Sequence, residues 1–281
     1  MRYGEEIKTI ARALRQRQAV LFVGAGVSMS VGLPSSTRLV DHLLADLGID
    51  KLNAGNNTTT LQTIAEYYRL KRGSFTPLVD WMNEEWQVST NCLFASRLHR
   101  LVVELDFPII YTTNYDANLE KSYQAFDRSF VKITSAADMA AARPGMTQIV
   151  KYHGDFSNPE TLVITESDYF DRLAFDAPMD IKFRGDAFAS TLLFIGYSMS
   201  DLNIRFMLHR LWSIWRRAGD AAQRPPLFLF MHDPDDVQRH VLENWGVTVL
   251  DGDGKDAEDS LLSFLAGLHG AVQREKGNAK N

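Results

Sequence analysis

The stretch AVLFVGAGVSMSVGLP (19–34) decides the fold. Its opening residues are apolar without alternation, which suits a strand buried on both faces, and it runs into Gly24 and Gly26 with a helix soon after. Six further short apolar runs follow, at 108–113, 129–133, 148–154, 191–197, 226–232 and 247–252. Helix-patterned segments lie around and between them: Thr37 to Leu47, Ala117 to Phe126, Leu202 to Trp215, Pro234 to Trp245 and Ala257 to Leu268. Strands alternating with helices predict a doubly wound α/β sheet, mostly parallel. The gap between the first two strands is too long for one crossover. An Asn/Thr-rich stretch, NAGNNTTT, is followed there by helix-like runs around Ile64, Phe75 to Trp86 and Leu93 to Leu105, so a helical insertion is expected at about 51–106. The predicted organisation is an N-terminal helix (1–18), a main domain (19–252) and a C-terminal helix with a fraying polar tail, EKGNAKN (253–281), set off by a turn at Asp253, Gly254 and Lys255.

Composition bounds the function. The 281 residues are 45% hydrophobic and 23% charged, enough for a full core in one large α/β domain. A formal net charge of -5 argues against nucleic-acid binding by overall charge. Cys92 is the sole cysteine, which rules out an internal disulfide and a Cys-rich zinc site and fits a reducing cytoplasm. The start, MRYGEEIKTIARALRQRQAV, reads as an amphipathic helix with Ile7, Ile10, Ala11 and Leu14 on one face rather than a signal peptide. No run of about 18 apolar residues occurs, so no membrane span is expected.

Four strand ends carry polar residues, and ligands in open α/β sheets bind at such ends. At the first, Gly24 and Gly26 fit either a tight turn or a backbone that approaches a pyrophosphate. The hydride-transfer fingerprint fails, because its third glycine position holds Met29, and no Gly-x-x-x-x-Gly-Lys phosphate loop is present. The second strand ends in Thr112, Thr113, Asn114 and Asp116, which fit a site or, for Asn114 and Asp116, helix capping. The fourth ends in KYHGD, and His153 is the only histidine of seven that closes an apolar strand and precedes a glycine. A satisfied structural histidine is the alternative. A later strand ends in GYSMSD, where Gly196 and Ser198 suit a phosphate or ribose and Ser200 or Asp201 suits a helix cap, Asp201 being preferred as the cap.

Together GAGVSMSVGLP (24–34), TTNYDANLE (112–120), KYHGD (151–155) with LVITESDYF (162–170), and LLFIGYSMSDLNIRFML (192–208) resemble the SIR2-like domain of bacterial anti-phage NAD-hydrolysing proteins. The resemblance covers about residues 19–250. It implies a Rossmann-like sheet, NAD bound as substrate at the strand ends, and cleavage of the nicotinamide–ribose bond to give nicotinamide and ADP-ribose. By that resemblance Asn114, Asp116 and His153 are the catalytic residues, and Gly24, Ala25, Gly26, Ser28, Thr113, Gly196 and Ser198 contact the dinucleotide. Asn114 is expected to position ribose and water, Asp116 to orient the carboxamide or stabilise charge, and His153 to accept a proton.

Two departures from the protein-deacylating sirtuins stand out. Their four zinc cysteines are missing, and the run after the glycine loop, Gly32 to Arg38, lacks their Asp-Phe-Arg block, so zinc and deacylation are not expected. A non-catalytic NAD or ADP-ribose sensor and a protein deacylase remain as rival readings. An unrestrained NAD hydrolase would drain its host, and the resemblance leaves only a short leader and tail outside it. Control is therefore expected from assembly or from a second protein, and the resemblance implies a homo-oligomer and a separately encoded HerA-type ATPase. The leader's apolar face and the Leu211, Trp212, Ile214, Trp215 run are candidate contact surfaces or ordinary core.

Overall fold

The computed structural model describes residues 3–49, 59–143, 145–199, 202–219, 221–252 and 254–278. The leader forms α1 (Gly4–Arg15), and the deciding stretch forms β1 (Ala19–Val23) and a short α2 (Ala25–Met29). The long gap holds α3 (Ser36–Asp46), α4 (Leu61–Arg72), α5 (Thr76–Glu85), α6 (Thr90–Ala95) and α7 (Arg97–Glu104) before β2 (Ile109–Thr112). Then come α8 (Asn118–Ala125), β3 (Phe130–Ile133), α9 (Ala136–Ala141), β4 (Thr147–Lys151), α10 (Glu166–Asp171), α11 (Pro178–Ala189) and β5 (Thr191–Ile195). The chain continues through α12 (Leu202–Ala218), β6 (Leu227–His232), α13 (Asp236–Asn244), β7 (Thr248–Gly252) and α14 (Ala257–Asn278). Most of NAGNNTTT, the cap expected at Ser200 or Asp201, the turn residue Asp253 and the last three residues of the tail lie outside the described residues.

All seven apolar runs are strands of one sheet, ordered β3-β4-β2-β1-β5-β6-β7, and every neighbouring pair is parallel. β1 and β5 are buried at every residue, which is why neither alternates in hydrophobicity. Their side chains still divide by parity. Ala19, Leu21 and Val23 join one core with α1, α7, α8 and α14, while Val20 and Phe22 join the other with α11, α12 and α13. One handedness accounts for both layers. Crossovers that step from β1 towards β2 and on to β3 carry α7 and α8 on the first face, and those that step the opposite way, from β4 to β5, β6 and β7, carry α11, α12 and α13 on the second. The direction reverses at β1 and β5, the place in such sheets outside whose carboxyl ends ligands bind.

A third core belongs to the long gap. Leu39 and Leu43 of α3, Ile64 and Tyr68 of α4 and Leu78 and Met82 of α5 bury together with Leu162 and Ile164, and Tyr115 and Phe156 pack on this cluster. The helical cluster is thus fastened to two strand-end loops. α7, by contrast, belongs to the main core and serves as the crossover into β2. The leader's apolar face, Ile7, Ile10, Ala11 and Leu14, is core as well, packed with α14, and is not a free contact surface. Leu211 is buried in the second core and the Trp215 ring lies tilted against Phe188, centroids 5.2 Å apart.

Candidate functional site

The β1 and β5 ends meet backbone to backbone. The Gly24 amide donates to the Ile195 carbonyl (2.9 Å) and the Gly26 amide to the Gly196 carbonyl (3.0 Å). A Cβ on Gly24 would stand 2.5 Å from the Gly196 oxygen, and Gly196 itself sits at φ +72°. The glycines are therefore required by close packing of two strand ends. Their amides are engaged within the protein, so a dinucleotide would meet the rim of this seam, with Ala25 exposed beside it, rather than these two donors.

The loop after β2 is threaded onto the seam. Thr112 donates its hydroxyl to the Val23 carbonyl (2.8 Å) and accepts the Asn114 amide (3.0 Å). The Asn114 side-chain amide donates to the Gly24 carbonyl (3.2 Å) and to Ser28 Oγ (3.1 Å). With both NH₂ hydrogens engaged, the orientation of Asn114 is fixed and its Oδ1 has no partner among the described residues. Thr113 Oγ1 lies 3.0 Å from the Tyr197 hydroxyl, which also donates to Val23. Asp116 turns the other way: its Oδ1 accepts the Asn118 amide (2.9 Å) at the start of α8. Its backbone carbonyl accepts from the buried Lys151, whose Nζ is 3.4 Å from Glu120 and 3.8 Å from Asp155.

His153 follows β4 and is 2% exposed. Gly154 makes its turn possible, at φ +91° and with a Cβ position only 2.2 Å from the Thr161 oxygen. The imidazole Nε2 is 3.3 Å from Asn203 Nδ2 at the start of α12. Accepting that hydrogen bond leaves the ring proton on Nδ1. Burial, reinforced by the Arg172 guanidinium, pushes the His153 pKa down to about 3, so the ring is neutral at physiological pH. Arg172 is fixed behind it, paired with the buried Asp180, donating to the Tyr152 carbonyl (2.7 Å) and lying 4.1 Å over the Tyr152 ring.

One edge of the sheet thus gathers Gly24, Ala25, Gly26, Ser28, Thr113, Asn114 and Gly196, and His153 reaches the same edge through Asn203. Asp116 is directed into a helix start, and Ser198 is exposed with its carbonyl accepting from Gln238. Arg38, the last residue of the altered run after the glycine loop, lies out on the helical cluster, 3.7 Å from Glu85. Asn203, Tyr197 and Arg172 were not anticipated from the sequence. Asn203 had a signal: it sits four residues before Met207 on the stripe that buries Ile204, Leu208 and Leu211, a polar residue on an apolar face. Among the described residues no three His, Cys, Asp or Glu side chains are grouped to hold a metal ion. No described helix is long and apolar enough to cross a membrane.

Chemically, a fixed amide oxygen and a neutral imidazole can orient a hydroxyl or a water, and the uncharged ring places no positive charge beside a cationic centre until it takes up a proton. A "NAD(+) hydrolase ThsA" of Enterococcus faecium is 32% identical over 211 residues, 72% of this chain and 41% of that protein. Its namesake in Bacillus cereus (strain MSX-D12) is 28% identical, over 75% of this chain and 43% of that protein. "Defense-associated sirtuin 2" of Bacillus subtilis is 28% identical over 88% of this chain and 24% of that protein. The matched region therefore spans about two fifths of the ThsA proteins and a quarter of the sirtuin. Residues 108–250, just over half of the chain and containing β2 to β7 with Asn114, His153 and Gly196, match the family described as SIR2-like domain. The chain belongs to the SIR2-like domain family.

Proposed function

We propose that this chain hydrolyses NAD at the nicotinamide–ribose bond, releasing nicotinamide and ADP-ribose, as an NAD-depleting effector in anti-phage defence. The observation that carries the reading is that the ends of the neighbouring strands β2 and β4 present an Asn114 side chain fixed by its own amide and a neutral, buried His153. Nicotinamide leaves NAD as a neutral molecule from a cationic ring, so no strong general acid is needed. The ribosyl centre that remains is oxocarbenium-like. Asn114 Oδ1 orients the ribose and the attacking water, and His153 accepts the proton through its one unprotonated nitrogen, Nε2, once substrate displaces Asn203 from it. Ala25, Gly26, Ser28, Thr113, Gly196 and Ser198 border the dinucleotide, and Asp116 acts by holding its loop on α8. The names of the relatives support the same substrate.

The catalytic unit in this reading is residues 19–252, working in the cytoplasm as a homo-oligomer whose turnover a separately encoded HerA-type ATPase alters. Activity that drains a shared cofactor must be conditional, which is the argument for such control. Purified chain incubated with NAD, alone and with the candidate ATPase, should release nicotinamide. Asn114→Ala and His153→Ala should abolish release while retaining the parent's circular dichroism spectrum. Full turnover by either variant sinks the site assignment. Tight NAD binding without nicotinamide release, in every assembly tested, replaces the hydrolase with a sensor.

A further inference from the structure

We propose that the cleft between α11 and α12 is a binding site for a phosphate-bearing small molecule, separate from the strand-end site. The cleft encloses a cavity of about 170 Å³ lined by Phe175, Arg184, Arg210, Ser213, Ile214 and Arg217, with Ala174 at its rim. Arg210, Ser213 and Arg217 are spaced three and four residues apart on α12 and so share one face, and Arg184 answers them from α11.

Three arginines line one cleft in a chain whose net charge is -5, so the cluster does not follow from a basic composition. Among the described residues none of the three has a carboxylate partner within 4.0 Å, a state they share with other arginines such as Arg100 and Arg205; what sets them apart is that they line one cleft. Two of them are held in place without being neutralised. Arg184 donates to the Phe175 carbonyl (3.2 Å) and lies 5.7 Å over its ring, and Arg210 donates to the Leu173 carbonyl (3.5 Å) and lies 5.3 Å over Phe206. Arg217 makes no hydrogen bond among the described residues. Like charges gathered in one cleft repel one another until an anion enters, and fixed guanidinium forks match phosphate oxygens in pairs.

The cavity is smaller than the ~300–1,000 Å³ of sites for drug-sized ligands, which suits a phosphate or diphosphate group with a small apolar attachment against Phe175 and Ile214 rather than a whole dinucleotide. Its far end is remote from the strand ends: Arg217 is about 22 Å along α12 from Leu202 at 1.5 Å per residue. A short path nevertheless joins the two places. The cavity wall Ala174–Phe175 closes the 3-10 turn Arg172–Ala174, and Phe175 holds a left-handed φ of +56°. Arg172, at the other end of that turn, fixes Tyr152 next to His153. An anion that draws Arg184 away from the Phe175 carbonyl loosens the turn that positions Arg172. This coupling rests on the hydrolase reading; the binding does not.

The test is calorimetric titration of the full chain with inorganic pyrophosphate, in saturating ADP-ribose so that the strand-end site is occupied. Pyrophosphate should bind the parent, and Arg210→Glu with Arg217→Glu should weaken it at least tenfold. A charge-matched control, Arg143→Glu with Lys255→Glu, should stay within twofold. Absence of binding at millimolar pyrophosphate, or equal binding by parent and cleft variant, overturns the site. Dissociation of an oligomer by the cleft variant, in sedimentation, also overturns it by giving the cleft to an acidic segment of a second copy. For the coupling, pyrophosphate should change amide hydrogen exchange across residues 152–155 in the parent alone. Unchanged exchange there removes the coupling and leaves the site. Failure of the chain to release nicotinamide leaves the titration readable.

Discussion

The β1–β5 seam and the end of β4 both rely on a glycine at positive φ, yet they use it for opposite purposes. At the seam, Gly196 lets two backbones touch, and the amides that would greet an anion are already bonded to Ile195 and Gly196 carbonyls. After β4, Gly154 lets the chain turn sharply so that a side chain, His153, is buried against Asn203. One region is scaffold and the other is where the proposed chemistry sits. A glycine-rich strand end therefore reports close packing first, and ligand contact has to be argued from the side chains around it.

The sharpest way to break this contrast is to exchange the expected losses. His153→Gln should reduce nicotinamide release by ~10²–10⁴-fold, the usual worth of a positioned base, with cooperative unfolding preserved. A variant whose rate falls only in proportion to its loss of folded fraction would make His153 scaffold too.

Next in size is a dependence on pH. His153 and His99 are both buried, and burial lowers their pKa values to about 3 and about 4. Both are thus depressed in the fold below the unfolded value of about 6.5. Their neutral forms contribute stability in full above pH ~6.5, and it is lost as the pH falls towards the folded values. Each should contribute a slope of ~1.4 kcal/mol per pH unit below that point. Denaturant unfolding between about pH 6.5 and 5.5 should show a loss that His99→Leu halves. A flat profile there would mean that neither ring is buried uncharged.

Gly24→Ala comes third. The added methyl meets the Gly196 carbonyl and the Tyr197 ring, so stability should fall by ~1–3 kcal/mol in chemical denaturation. An unchanged midpoint would show that the seam opens freely. The smallest effect calibrates it: Gly185, inside α11 with nothing near its Cβ position, should gain ~0.5–1 kcal/mol as alanine. Loss at both positions would point to a general intolerance rather than to the seam.

Much of the fold was legible because burial on both faces writes itself as an unbroken apolar run, and each of the seven runs became a strand with no bound shifted by more than three residues. α11 was not legible. Its inward face is Asp180, Phe183 and Ala187, and the acidic member is buried only because Arg172, eight residues earlier, pairs with it. α10 announced itself through a capping box of Thr165 and Asp168 that periodicity passes over in so short a helix. The Leu93 to Leu105 run reads as one helix, but Ser96 breaks it and caps α7 through the His99 amide. At the site, residue types and strand ends were legible. Which donors stay available was not, since that follows from β1 lying beside β5 rather than from any local pattern.

That adjacency also bears on how the protein is made. β1 emerges early from the ribosome, but Ala19 pairs with Thr191, and the seam needs Gly196. Long-range parallel pairing is slow and cannot start before both partners exist. A nascent or truncated chain ending before β5 has no closed seam to fix Asn114 against, and Asn203, the partner of His153, has not been synthesised. On the proposed function, translation products cut short in this way would leave the NAD pool untouched, and the activity would arise only in chains that have passed residue 203.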